Sequence, residues 1–130
     1  MPDLTREQTD ELANQALELK KAVGAFRNTF FNDLTQDQRD GLQALANELG
    51  DEVDHLTAVA IRLSLDELQE TFAHLRDVTA GVKDAAAHLR NVGKVLTVAT
   101  SLIGLGTAIA SGEPVEVVSA LNDTAAAVKG

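Results

Sequence analysis

The chain has 130 residues, a length that suits one domain with a single hydrophobic core. Hydrophobic residues make up 45% of it, which argues against disorder, and its formal net charge of −9 disfavours nucleic acid and simple attraction to anionic lipid. It contains no cysteine, so disulfides and thiolate chemistry are excluded. The polar first residues show no signal-peptide pattern, so we expect a cytoplasmic protein, with signal-independent export left open.

Three similar segments predict the starts of three long helices. Each has Ser or Thr followed three residues later by Gln or Glu, the capping-box pattern: Thr5 with Gln8, Thr35 with Gln38 and Ser64 with Glu67. The pattern fits either duplication of a helix or three helices that share a common cap. In both cases the spacing predicts helices over about residues 5–32, 35–62 and 64–91, each roughly 40 Å long at the α-helical rise.

Apolar residues recur every three or four positions along all three segments, the spacing of helices packed side by side at a shallow angle. Short turns between them predict that consecutive helices run antiparallel. The sequence therefore predicts an all-α, antiparallel helical bundle in one domain. Whether the third helix continues into the segment that follows is open, and we expect a break near residues 91–94.

The C-terminal third predicts an apolar helix over about residues 93–110 and a final helix over about 114–128. Ser111, Gly112 and Pro114 predict the stop and hinge between them, because Gly favours helix ends and Pro favours first turns. From Val95 to Ala110 the chain has 16 uncharged residues, including small residues four apart at Gly104/Ala108 and Gly106/Ala110. Such a run is typical of a buried core helix, whereas the small residues would also allow close helix contacts in a membrane.

Long amphipathic helices around a Gly-containing uncharged segment resemble, in layout, the α-helical pore-forming toxins of the cytolysin type. The resemblance extends over the whole chain without a specific motif, and the chain is shorter than is usual in that family. It implies a helix that enters membrane lipid as a homo-oligomer, with Gly104 and Gly106 as its hinge. The candidate contact residues for lipid or a partner are Val95, Leu96, Val98, Leu102, Ile103, Gly104, Leu105, Gly106 and Ile109. The alternative is a soluble structural or adaptor bundle that binds another helical protein or itself.

Catalytic patterns are weak. Glu52 and His55 have the Glu-x-x-His spacing of di-iron bundles, but a second such pair is missing, while His74 and His88 follow acidic residues at the four-residue spacing of ordinary helix pairs. The chain has no Gly-rich phosphate loop and no nucleophile motif. We therefore expect no enzymatic activity, no cofactor and no metal site.

Overall fold

A computed structural model describes residues 4–50, 53–89 and 91–129, without the side chains of residues 53–55. Its elements are α1 (Arg6–Thr29), a 3₁₀ turn (Phe31–Asp33), α2 (Gln36–Gly50), α3 (Val53–Ala60), α4 (Leu65–His88), α5 (Val92–Ser111) and α6 (Pro114–Lys129). These ranges contain helices packed against one another and no strand, which confirms the predicted all-α bundle.

The predicted capping boxes are present at all three helix starts. The hydroxyls of Thr5, Thr35 and Ser64 accept hydrogen bonds from the N–H three residues later, at 3.1, 3.1 and 3.2 Å. In the third box the Ser64 N–H donates to the Glu67 carboxylate at 3.0 Å. Hydrogen bonds from the Ser64 backbone and side chain hold the pKa of Glu67 below its ordinary value of 4.5. The stabilisation from this carboxylate is therefore present at neutral pH and is lost as the pH falls through the lowered pKa.

The first and third long helices, α1 and α4, have 24 residues each, and each ends three residues before its predicted end. The first ends at Thr29 rather than near residue 32, because Phe30 leaves the helical conformation (φ −105°, ψ 19°) and the chain turns through Phe31–Asp33. Phe30 and Leu34 are both buried, so the early turn places two apolar side chains in the core. The described parts of the predicted second helix over 35–62 are the helices α2 and α3. Residues 51–52 lie outside the described residues, so the continuity of that helix stays a prediction.

The third helix and the apolar helix are separate, which settles the question left open by the sequence. The third helix ends at His88, and Leu89 is extended (φ −69°, ψ 133°). Asn91 then caps α5, its side-chain oxygen accepting from the Lys94 N–H at 3.1 Å. The break falls close to the expected residues 91–94. Helix α5 extends one residue beyond each end of the predicted range 93–110.

The long helices form a ring in which α5 lies between α2 and α6 and contacts both. Helices α1 and α4 are parallel, because Glu11 pairs with Arg76 at 3.0 Å and Glu18 with Lys83 at 3.2 Å, seven residues further along both helices. Helices α2 and α5 are also parallel. The apolar helix is thus one wall of the bundle rather than a central core helix.

The core is shared by all six α-helices of the described ranges. Its largest fully buried side chains include one from each helix: Phe26, Leu45, Leu56, Leu75, Leu102 and Leu121. Burial of each such side chain contributes about 1.5–3 kcal/mol. Because α5 supplies only one face to this core, its opposite face is left at the surface.

Candidate functional site

The structure divides the predicted contact residues between the two faces of α5. Six of them are buried: Val95, Val98, Leu102, Leu105, Gly106 and Ile109. Leu96 and Ile103 are partly buried and pack against the core, and Gly104 is exposed. Only 39% of the most apolar stretch of α5 is buried, whereas the core helix of a soluble protein is mostly buried. The helix therefore has a buried apolar face and a second face in contact with water.

The exposed face of α5 is a continuous line of small, uncharged residues, which we call the outer stripe. Its members recur at alternating spacings of four and three along the helix, and all of them are exposed: Gly93, Thr97, Thr100, Gly104, Thr107 and Ser111. The same 3.5-residue period marks the contact lines of helices that pack side by side. Of these residues, the sequence predicted only Gly104 as a contact residue and only Ser111 as a hinge residue. The spacing of the threonines was visible in the sequence but was not used.

The threonine hydroxyls of the outer stripe are satisfied within the helix. Thr97, Thr100 and Thr107 donate to the carbonyl oxygens four residues earlier, at 3.0, 2.9 and 3.2 Å. A hydroxyl bonded in this way can leave water without losing its hydrogen bond, whereas an unsatisfied hydroxyl in an apolar phase costs about 2–7 kcal/mol. The outer stripe is therefore exposed to water but compatible with an apolar environment.

The two glycines near the middle of α5 have different environments. A Cβ at Gly106 would lie 3.2 Å from Leu45 Cβ and 3.3 Å from Leu45 Cα, so the absence of a side chain there lets α5 approach α2 closely. A Cβ at Gly104 would meet nothing within 4 Å. Helix α5 continues through both residues, and the role of Gly104 and Gly106 as a hinge stays a prediction.

Replacing Gly104 by Ala is expected to raise the free energy of unfolding by about 0.5–1 kcal/mol, the difference in helix propensity between the two residues. The added methyl group has space, so no packing cost offsets the gain. The matched control is Gly106→Ala, which gains the same propensity but presses on the backbone of Leu45 and should be less stable than Gly104→Ala. Urea denaturation of the two variants measures the difference, and equal stabilities would contradict this account.

The predicted hinge residues lie in the turn between α5 and α6. Ser111 is the last residue of α5, Gly112 adopts the left-handed conformation at φ 74°, and Pro114 begins α6. Arg62 Nη1 donates to the Gly112 carbonyl at 3.2 Å, which ties this turn to the start of α4. The turn is thus well defined in the packed bundle, and its role as a hinge stays a prediction.

Two of the open clefts on the bundle surface bear on the features described above. One, about 680 Å³, runs between α1 and α4, where the ion pairs Glu11–Arg76 and Glu18–Lys83 line it. Another, about 550 Å³, lies between α5 and α6 and is bordered by Gly104 of the outer stripe. Within the described ranges no three His, Asp or Glu side chains come close enough to hold a metal ion. The Glu52–His55 pair lies outside the described residues.

Comparisons with protein-family models, curated proteins and solved structures found no match. By length and composition, α5 is the one helix in the described part of the chain that could cross a membrane. Its 20 residues span about 30 Å, the thickness of the hydrocarbon core of a bilayer. A function for this protein is therefore inferred from its fold and from the two faces of α5.

Proposed function

We propose that this protein is a non-enzymatic helical bundle that inserts α5 into a lipid bilayer, where copies of the helix pack against one another. The main support is the outer stripe: a surface helix whose exposed side lacks any charge from Val95 to Ser111 is unusual in a protein with a net charge of −9. The one charged residue of the helix is Lys94, in its first turn, from where a long side chain can reach the interface.

The two faces of α5 suit two different contacts in a membrane. The buried face presents large apolar side chains, including Val95, Leu102 and Ile109, which suit contact with acyl chains. The outer stripe presents Gly and Thr, which allow two helix backbones to approach closely in lipid, where packing rather than hydrophobic burial drives association. In water the first face lies in the core and the second is exposed without any charge that insertion would have to bury.

Vesicle leakage tests this proposal. Phosphatidylcholine vesicles loaded with a fluorescent dye are expected to leak when the protein is added. Leakage should increase at a pH near 4.5, the ordinary pKa of Glu, because protonation of carboxylates lowers the net charge of −9. The absence of both leakage and vesicle binding at neutral and acidic pH would contradict the proposal.

A second candidate function is association in water with another helical protein or with a second copy. The 3.5-residue period of the outer stripe favours it, because this is the period of helix-packing lines. Gly104 has no side chain and that of Thr107 is small, so contact between two such stripes buries little apolar area. Such a complex would therefore be weak. Light scattering tests self-association: a mass above the 13.8 kDa of one chain at neutral pH without lipid would support it.

A further inference from the structure

Two arginines meet over one aromatic ring where α1 turns into α2. The Cζ atom of Arg39 lies 3.9 Å from the centroid of the Phe31 ring, and that of Arg27 lies 5.4 Å from it. The Phe31 side chain itself is 39% exposed. We call these three residues the arginine corner.

Both guanidinium groups of the arginine corner are held in place through Nε. Arg27 Nε donates to the Arg39 carbonyl at 3.1 Å, and Arg39 Nε donates to the Phe31 carbonyl at 2.9 Å. Neither arginine forms an ion pair with a carboxylate of the described residues, although Asp40 is adjacent in sequence; its carboxylate accepts from Gln36 Nε2 at 2.8 Å. The outer Nη groups of two oriented guanidinium groups are therefore left for an anion, and Arg binds phosphate oxygens well with such donors.

Acidic residues are numerous at the end of the bundle remote from the arginine corner. Helices α1, α4 and α6 begin at the end remote from the arginine corner, since α1 and α4 are parallel and Arg62 bonds to the α5–α6 turn. The positive ends of three helix dipoles lie there and favour acidic residues. The carboxylates at that end, opposed only by Arg6 and Arg62 among the described residues, are Glu7, Asp10, Asp66, Glu67, Glu70, Glu113 and Glu116.

The opposite end carries the arginine corner and Lys94, which lies in the first turn of α5. It also carries three carboxylates in the turn and the first turns of α2, so it is not basic overall: Asp33, Asp37 and Asp40. Helix α5 begins here because it is parallel to α2: Leu45 faces Gly106. The exposed Val92 is its first residue. A surface that contacts this end would meet both the arginine corner and the start of α5.

We propose that the arginine corner binds the phosphate groups of anionic phospholipid and orients the bundle so that the start of α5 meets the membrane. This site deepens the membrane function proposed above and rests on it. The phosphate diester accepts hydrogen bonds from the Nη groups of Arg27 and Arg39, and Phe31 lies beside it at the level of the headgroups. The net charge of −9 opposes contact with an anionic surface, so binding would depend on these two guanidinium groups.

Vesicle flotation of the full-length chain tests the site. With phosphatidylglycerol in phosphatidylcholine vesicles, Arg27→Gln/Arg39→Gln is expected to bind about 10- to 30-fold more weakly than wild type, the effect of removing two cationic groups from an anionic surface. The matched control, Arg6→Gln/Lys21→Gln, removes the same charge away from the corner and should bind like wild type. Arg27→Lys/Arg39→Lys keeps both charges but lacks the oriented Nη donors, so it should bind more weakly than wild type and more tightly than the Gln variant. The melting temperature of each variant, compared with that of wild type, controls for a folding defect.

Three results would overturn the site: equal binding of the corner variant and wild type, an equal loss of binding in the control, or binding of the lysine variant equal to wild type, which would show that charge alone suffices. Millimolar inorganic phosphate that prevents flotation of wild type would identify free phosphate as the ligand and overturn the lipid assignment. Leakage is scored separately. If binding depends on the corner but no leakage occurs, the site is supported and insertion is contradicted. If leakage occurs equally with and without the corner arginines, insertion is supported and the site is contradicted.

Discussion

A disulfide between α2 and α5 is expected to abolish vesicle leakage, and its reduction is expected to restore it. Insertion requires α5 to separate from α2, and the two helices lie close together where Leu45 faces Gly106. The Cβ positions there are 3.2 Å apart, slightly below the 3.5–4.5 Å range of disulfides, so a shift of a few tenths of an ångström permits the bond in Leu45→Cys/Gly106→Cys. The chain has no native cysteine to compete.

Vesicle leakage is compared between the oxidised and the reduced form of this one variant. Loss of the Leu45 side chain from the core costs about 2–5 kcal/mol, so the reduced variant should be less stable than wild type and leak at least as readily. Closing the bond should then stop leakage without changing the helix content measured by circular dichroism. Leakage by the fully oxidised protein would show that α5 need not leave α2 and would contradict insertion of this helix. Each single-cysteine variant, treated with the same oxidant, controls for oxidation itself.

Helix starts could be predicted from the sequence because their chemistry is local. A capping hydroxyl and its partner lie three residues apart in the chain, and the boxes at Thr5, Thr35 and Ser64 form as expected. The stop at Gly112 is local in the same sense, since a left-handed residue at a helix end favours Gly. Features decided within one turn of helix are therefore readable without tertiary structure.

Helix ends and lengths depended on contacts that the local pattern does not contain. The first helix ends early because Phe30 and Leu34 are buried on either side of the 3₁₀ turn, an arrangement that depends on where α2 packs. The apolar periodicity that predicts one helix over 35–62 is present in the described helices α2 and α3, whose buried residues keep the same spacing. Hydrophobic period therefore identified the core-facing side of both helices.

The candidate site could be predicted in composition but not in orientation. The uncharged run identified α5, and whether a given residue in it faces the core or water follows from the positions of α2 and α6. Gly104 and Gly106 illustrate this: they are two residues apart, yet one is exposed and the other lies against Leu45. The net charge of −9 likewise does not show that Arg27 and Arg39 meet over Phe31, which follows from how α1 turns into α2.

A single charge on the outer stripe is expected to block leakage while leaving the soluble bundle intact. Gly104 lies near the middle of α5, and a side chain added there points into open space. Gly104→Lys should therefore fold normally, with a melting temperature at or slightly above that of wild type. In the membrane its ammonium group would lie near the bilayer centre, where Lys costs about 2.5–3.5 kcal/mol for each helix. That cost lowers the inserted population by roughly 70- to 400-fold, and more if several copies insert together.

The matched control for this variant is Ala73→Lys, which adds the same charge at an exposed position of α4, outside the proposed membrane helix. It should leak like wild type, because its lysine stays in water throughout. Gly104→Leu separates the two roles of the stripe: it adds no charge, so lipid binding should persist, but its bulk prevents close contact between helices and should reduce leakage. Leakage by Gly104→Lys at the wild-type rate, or an equal loss in Ala73→Lys, would show that the outer stripe of α5 does not enter the bilayer.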